Sequence, residues 1–105
     1  MYVRVRATES GTTEVTLEEP DDCGRFHLVS EIDPALLAPA LAEANVGSME
    51  DDETAVINPE AIVRAVGDRV GPDWGERFGA MVEYAETKGW VTDGGNMRAH
   101  VELVG

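Results

Sequence analysis

The sequence predicts an α+β domain, in which an antiparallel sheet of N-terminal strands plus a C-terminal hairpin carries two to three helices packed on one face. Three observations lead to this fold class. Apolar and polar residues alternate near the N-terminus, as in half-buried strands. An apolar stripe of helical spacing runs through residues 74–85, and a strand–turn–strand pattern follows at residues 91–104. With a length of 105 residues, residues 1–105 are expected to form a single domain.

The N-terminal strands are indicated by alternation. Val3, Val5 and Ala7 alternate with arginines, and a second alternating run occupies residues 14–17. A turn sequence at residues 9–11 separates the two runs. The natural interpretation is a β-hairpin with one face toward the core.

The middle of the chain predicts loops, strands and two short helices. Residues 18–22 combine acids with a proline and indicate a loop, and residues 25–30 indicate a third strand. The Asp-Pro pair at 33–34 and the Asn-Pro pair at 58–59 each place proline after a capping residue, as at a helix start. Pro39 interrupts an apolar stripe of helical spacing in residues 36–44, so we expect a turn at 34–37 and a helix at 39–44. A mobile acidic loop is expected at 47–53, followed by a strand or extended segment at 54–57. The next helix should carry Ile62, Val63 and Val66.

The most clearly indicated helix covers residues 72–88. Its apolar residues recur on one face, which should anchor the core: Trp74, Phe78, Met81, Val82 and Ala85. Gly89 follows where a left-handed C-terminal cap belongs, and Trp90 is then able to fold back on the last turn. We therefore expect a positive φ at Gly89.

The charge balance excludes several classes of partner. The chain has 21 acidic and 8 basic residues and a formal net charge of −13. Nucleic acids and anionic membranes are both recognised mainly through Lys and Arg, so neither is expected as a partner. No apolar run approaches the roughly 20 residues that cross a bilayer, and the N-terminus alternates rather than forming a signal peptide. With a single cysteine, these features predict a cytoplasmic protein.

No catalytic, metal-binding or nucleotide-binding motif is present in the sequence. Cys23 and His27 are the one local Cys/His pair, but Asp21 and Asp22 should raise the pKa of the thiol. We therefore expect Cys23 to be chemically dispensable. A metal site of Cys23, His27 and His100 would require the third and last strands to be neighbours. The sequence predicts no catalytic residue, no metal and no cofactor, and it favours a protein without enzymatic activity.

A candidate binding surface follows from the predicted sheet. Four residues alternate with core positions and should share the outer face: Arg4, Arg6, Arg98 and His100. A positive strip on an acidic protein would suit an anion or an acidic partner, especially if the first and last strands are adjacent. The alternative is that Glu14 and Glu102 neutralise these cations across the strands.

Three hypotheses for function follow. The first is a small acidic binding or accessory module that uses its exposed sheet face or an edge strand to bind an unknown protein or an anionic small molecule. The second is a small enzyme or ligand-binding domain with a pocket near Trp74, Tyr84 and Trp90. The third is an acidic inhibitor that mimics nucleic acid. A deep apolar pocket would favour the second, and acids at phosphate spacing would favour the third.

Overall fold

Six strands and three α-helices are found in residues 1–104, which this computed structural model describes. In chain order they are β1 (Tyr2–Ala7), β2 (Thr13–Glu18), β3 (His27–Ser30), α1 (Leu37–Glu43, after a 3₁₀ turn at Pro34–Leu36), β4 (Gly47–Asp51), β5 (Thr54–Ile57), α2 (Pro59–Val66), α3 (Trp74–Thr87) and β6 (Met97–Leu103). All six strands join one sheet, in the order β2-β1-β3-β6-β5-β4. The α+β class is therefore confirmed.

The sheet is mixed, so the prediction of an antiparallel sheet is wrong at its centre. The β1–β2, β4–β5 and β5–β6 pairs are antiparallel, but β3 runs parallel to both of its neighbours, β1 and β6. Tyr2 is paired with Glu18 on one side and with His27 on the other. The loop after β2 therefore crosses the end of β1, and β3 starts at the same end of the sheet as β1. The N-terminal ammonium of Met1 donates a hydrogen bond to the Asp22 carbonyl at 2.9 Å, which holds the crossing loop against the start of β1.

The predicted C-terminal hairpin is present only in part, because its first arm is reduced to an isolated antiparallel bridge. Val91 forms a single bridge to Met97, and β6 pairs with β3 on one side and β5 on the other. The edge of β6 that faces β3 is paired only from His100 onward, so residues 90–91 meet β6 at the free start of that edge. There the Arg98 N–H donates to the Trp90 carbonyl at 2.7 Å, and the Thr92 N–H donates to the Asn96 carbonyl at 2.8 Å. The first and last strands are likewise not adjacent, since β3 lies between them.

The acidic loop expected at residues 47–53 is instead the edge strand β4 and its turn into β5. Met49 packs against the core, whereas Glu50 and Asp51 are exposed. Acidic side chains on the exposed positions of an edge strand discourage pairing with other chains. The acidic run 50–53 therefore includes the end of an edge strand, and the prediction of a loop over residues 47–51 is wrong.

The helices share one core with the strands. Pro39 lies in the first turn of α1, where a backbone N–H has no partner within the helix, so this proline does not delay the helix as expected. The two predicted caps are present, because Asp33 Oδ1 and Asn58 Oδ1 each accept a backbone N–H at 2.9 Å. One buried cluster contains strand residues and the helical residues Leu37, Leu41, Ile62, Val66, Trp74 and Phe78. Within residues 1–104, no helix has both the length and the apolar character needed to cross a membrane.

The end of α3 has the predicted geometry. Gly89 has a φ of +76°. The Trp90 N–H donates to the Ala85 carbonyl at 2.9 Å, which is the bond expected of a left-handed helix cap. Trp90 is therefore turned back toward the helix, and this turn positions its ring for the site described below.

Replacing Gly89 by valine is expected to lower the free energy of unfolding by more than about 1 kcal/mol, because a β-branched residue is strained at positive φ. Gly89→Asn is the matched control, since asparagine tolerates this region and should cost less. Urea unfolding monitored by circular dichroism measures both. A valine variant as stable as the wild type would show that the cap does not require glycine.

Candidate functional site

The structure places the four predicted binding residues on the same face of the sheet, opposite the core. Arg4 and Arg6 alternate with buried valines on β1, and Arg98 and His100 alternate with buried residues on β6. If β1 and β6 were adjacent, a cation of β6 would lie beside Arg4. Because β3 separates the two strands, Val29 lies there instead. The residues share a face without forming a continuous positive strip.

Carboxylates neutralise the three arginines of this face. The nitrogen–oxygen distances are 2.6 Å for Arg4–Glu31, 2.9 Å for Arg6–Glu14 and 3.0 Å for Arg98–Glu50. The hydrogen bond to Glu31 raises the pKa of Arg4. Of the two partners anticipated, Glu14 is paired as expected, whereas Glu102 lies 4.0 Å from His27 Nε2. The pairing alternative therefore describes these arginines better than a free positive surface does.

The two histidines of the chain are neighbours on this face. His27 and His100 are register partners on the parallel strands β3 and β6, and the Tyr2 ring stacks on His27 with 5.2 Å between ring centroids. Cys23 does not join them, since it precedes β3 and lines the groove described next. In the described part of the chain, no three His, Cys, Asp or Glu side chains are arranged to hold a metal ion.

A largely apolar groove of about 770 Å³ lies between α3 and the loop that crosses from β2 to β3. Its apolar lining consists of Phe26, Ala80, Met81, Tyr84, Ala85, Trp90 and Met97. Of the three aromatic residues predicted to line a pocket here, Trp74 is absent. Its ring is buried against Phe78, and its Nε1 donates to the Pro20 carbonyl at 2.6 Å.

Two aromatic side chains stand half exposed in this groove. Tyr84 is 56% exposed and Trp90 is 49% exposed, and their rings meet edge to face with centroids 6.1 Å apart. The Lys88 ammonium lies 5.5 Å from the Tyr84 ring centroid. The Trp90 backbone is fixed on both sides, because its N–H bonds to α3 and its carbonyl accepts the Arg98 N–H at 2.7 Å. The pair therefore forms a preorganised apolar surface.

The groove continues onto the outer sheet face. A second depression, of about 430 Å³, shares Phe26, Trp90 and Arg98 with the first and extends to His100. The sheet-face site and the aromatic pocket, predicted as separate alternatives, therefore meet at Arg98. The junction depends on the close approach of residues 89–90 to β6, which the strand–turn–strand pattern at residues 91–104 predicts in part.

Ion pairs engage two of the three arginines that line the groove. Arg77 Nη1 donates to the Asp21 carbonyl at 2.9 Å, and its guanidinium lies 3.5 Å from both the Asp21 and the Asp73 carboxylates. Arg98 donates to Glu50 and, at 2.9 Å, to the Gly89 carbonyl. Arg77 and Arg98 are therefore offset by nearby carboxylates, whereas Arg25 is exposed and makes no ion pair in the described chain.

Cys23 is half buried in the wall of the groove. Burial is the main reason that the pKa of its thiol is raised, and Asp21 and Asp22 add to the effect while Arg77 and the N-terminal ammonium oppose it. The hydrogen-bond contact of Sγ in the described chain is with the Pro20 carbonyl oxygen, at 4.0 Å. A nucleophilic thiol needs a lowered pKa and a neighbouring base, and neither condition is met here.

The thiol is expected to react with iodoacetamide at a higher pH in the folded protein than in the same chain unfolded in urea, because its folded pKa is raised. Because the folded pKa exceeds the unfolded pKa, the protonated thiol contributes to the free energy of unfolding at neutral pH. This contribution falls as pH rises through the unfolded and then the folded pKa. The pH profile of the alkylation rate, followed by mass spectrometry, measures the shift. Cys23→Ser should keep the fold. A folded profile displaced to lower pH would instead indicate an activated cysteine.

Comparison of the chain with family models, curated proteins and solved structures finds no match. Function is therefore argued from the geometry of the groove and the charge around it.

Proposed function

We propose that this protein is a binding module whose recognition site is the apolar groove between α3 and the loop after β2. The observation that carries this proposal is the half-exposed pair of Tyr84 and Trp90, fixed side by side on an apolar floor. Large aromatic side chains that remain exposed beside a groove are typical anchors for a partner, since covering them removes apolar area from water. The wild-type protein would act by holding a partner rather than by chemistry.

The groove is a better candidate than the edge strands. At the sheet edge formed by β2, one backbone hydrogen-bond acceptor is already occupied, because Arg69 Nη1 donates to the Leu17 carbonyl at 3.1 Å. The opposite edge, β4, exposes Glu50 and Asp51, which disfavour addition of a further strand. The paired arginines of the outer face also offer less to an anion than the sequence suggests. These contacts favour the groove, where two half-exposed aromatic rings lie together, over the edge strands and the arginines.

The proposal is tested by adding a library of small apolar and aromatic fragments to ¹⁵N-labelled protein and mapping the amide shifts. Shifts are expected at the backbone amides of residues that line the groove and at the Trp90 indole. The backbone amide shifts should disappear in Trp90→Ala. Val63→Ala is the matched control, because Val63 is also 51% exposed and lies on α2 outside the groove. Shifts that map elsewhere, or that survive in Trp90→Ala, would contradict the proposal.

A further inference from the structure

We propose that the groove accepts a basic, amphipathic segment of another protein, with apolar side chains on Tyr84 and Trp90 and lysines or arginines over the surrounding acids. This inference rests on the proposed function and names the class of partner. It draws on the charge of the whole molecule, the local balance at the groove and the shape of the depression.

The first argument is the long-range field. The chain carries a formal net charge of −13, which attracts a cationic partner during encounter and repels an anionic one. A second copy of the same chain is disfavoured as an occupant for the same reason, since two copies would bring like charges together. Nucleic acid is disfavoured equally. A basic polypeptide is the macromolecule that this field favours.

The second argument is the local charge at the groove. Of the three arginines in the lining, Arg77 and Arg98 are paired with carboxylates, so each of these pairs is locally neutral. Arg25 is exposed and makes no ion pair in the described chain. The acids at the rim remain accessible, because the side chain of Asp21 is 69% exposed. Its contact with Arg77 is long, at 3.5 Å, which leaves room to accept a donor from a ligand. Asp22 places a further exposed carboxylate at one end of the apolar floor, and Glu50, which is paired with Arg98, lies at the other end.

The third argument is shape. Sites for small molecules enclose most of the ligand surface, commonly about 70–90% of it. Here Tyr84 and Trp90 stand half out of the protein, and the groove continues past Arg98 into a second depression. An elongated, open channel of this kind suits a run of side chains on one segment. Helices bound in grooves present such a run as anchors at i, i+3 and i+4.

The test uses three synthetic peptides of about 12 residues. The first has leucines at helical spacing with lysines between them, the second replaces every lysine by glutamate, and the third replaces every leucine by serine. Binding is followed by the two tryptophan indole N–H signals of ¹⁵N-labelled protein. Trp74 is buried outside the groove, so its signal is an internal control for that of Trp90.

The lysine–leucine peptide is expected to shift the Trp90 signal and to bind at least about tenfold more tightly than the glutamate peptide. Its affinity should fall as salt rises from about 50 to 500 mM, because exposed charges are screened. The serine peptide should bind weakly. Asp21→Asn keeps an oxygen for Arg77 and should reduce the affinity for the lysine peptide by about threefold. The double variant Arg4→Gln/Arg6→Gln, outside the groove, should not lower it.

The outcomes separate this inference from the proposed function. Equal binding of the lysine and glutamate peptides through Trp90 would overturn the basic partner and leave the groove as a binding site. Tighter binding of the glutamate peptide would indicate an acidic partner and would also overturn it. If no peptide and no fragment shifts the Trp90 signal in a folded protein, both proposals fail.

Discussion

Replacing Phe78 by alanine is expected to lower the free energy of unfolding by about 3–5 kcal/mol. Phe78 is 6% exposed, and its ring stacks almost parallel on Trp74 with 4.8 Å between centroids. Truncation leaves a cavity beneath α3 and removes one side of the packing around Trp74. The indole of Trp74 also ties the crossing loop to α3 through the Pro20 carbonyl, so the damage should extend to that loop. Urea denaturation measures the loss.

Met81→Ala provides the comparison for this variant. Met81 lies on the same stripe of α3 but is only partly buried, so its truncation should cost distinctly less. Because a loss of this size approaches the whole stability of many small domains, Phe78→Leu serves as a milder second variant. A denaturation midpoint that does not move in either Phe78 variant would show that the stripe does not anchor the core.

Gly47→Ala is expected to destabilise the protein by about 2–3 kcal/mol, in the upper range for overpacking. A Cβ built on Gly47 would lie 1.9 Å from the Val56 carbonyl oxygen and 3.0 Å from its carbonyl carbon. These atoms belong to the backbone of β5, so they yield only if the β4–β5 pairing is disturbed. Thermal unfolding and hydrogen exchange of the β4 and β5 amides report the global and the local effect.

Gly79→Ala is the control for this substitution. Nothing lies within 4 Å of a Cβ at Gly79, which is in the interior of α3. Alanine there should stabilise the protein by about 0.5–1 kcal/mol, because it restricts the unfolded chain and favours the helix. The two changes are therefore expected to have opposite signs. A neutral Gly47→Ala variant would contradict the close approach of β4 to β5.

Local features of the fold were predictable because neighbouring residues determine them. The alternation of β1, the caps at Asp33 and Asn58, and the glycine cap after α3 each depend on a few adjacent residues. The placement of β3 depends on a loop that crosses the end of β1. An alternating pattern states which face of a strand is buried but not which strand lies beside it. The mixed sheet and the adjacency of His27 and His100 were hidden for this reason.

The candidate site was partly predictable in the same sense. Trp90 was predictable beside the end of α3 because the glycine cap turns the chain back, and its edge-to-face contact with Tyr84 is consistent with that turn. Trp74 was wrongly included, since its position on the core side of α3 buries it with Phe78. The opposite wall, with Cys23 and Phe26, comes from the crossing loop and could not be assigned without the tertiary structure.

Footprinting of Cys23 tests the central claim, that the groove is a binding site, on the unmodified protein. The single thiol lies in the wall of the groove, so an occupant should shield it. The rate of alkylation by iodoacetamide, a neutral reagent, is measured at about pH 8.5 with and without saturating lysine–leucine peptide. Binding in the groove predicts that the rate falls at least about fivefold with the peptide bound and is restored by high salt. An unchanged rate at saturation would place the peptide elsewhere on the protein and would contradict the claim.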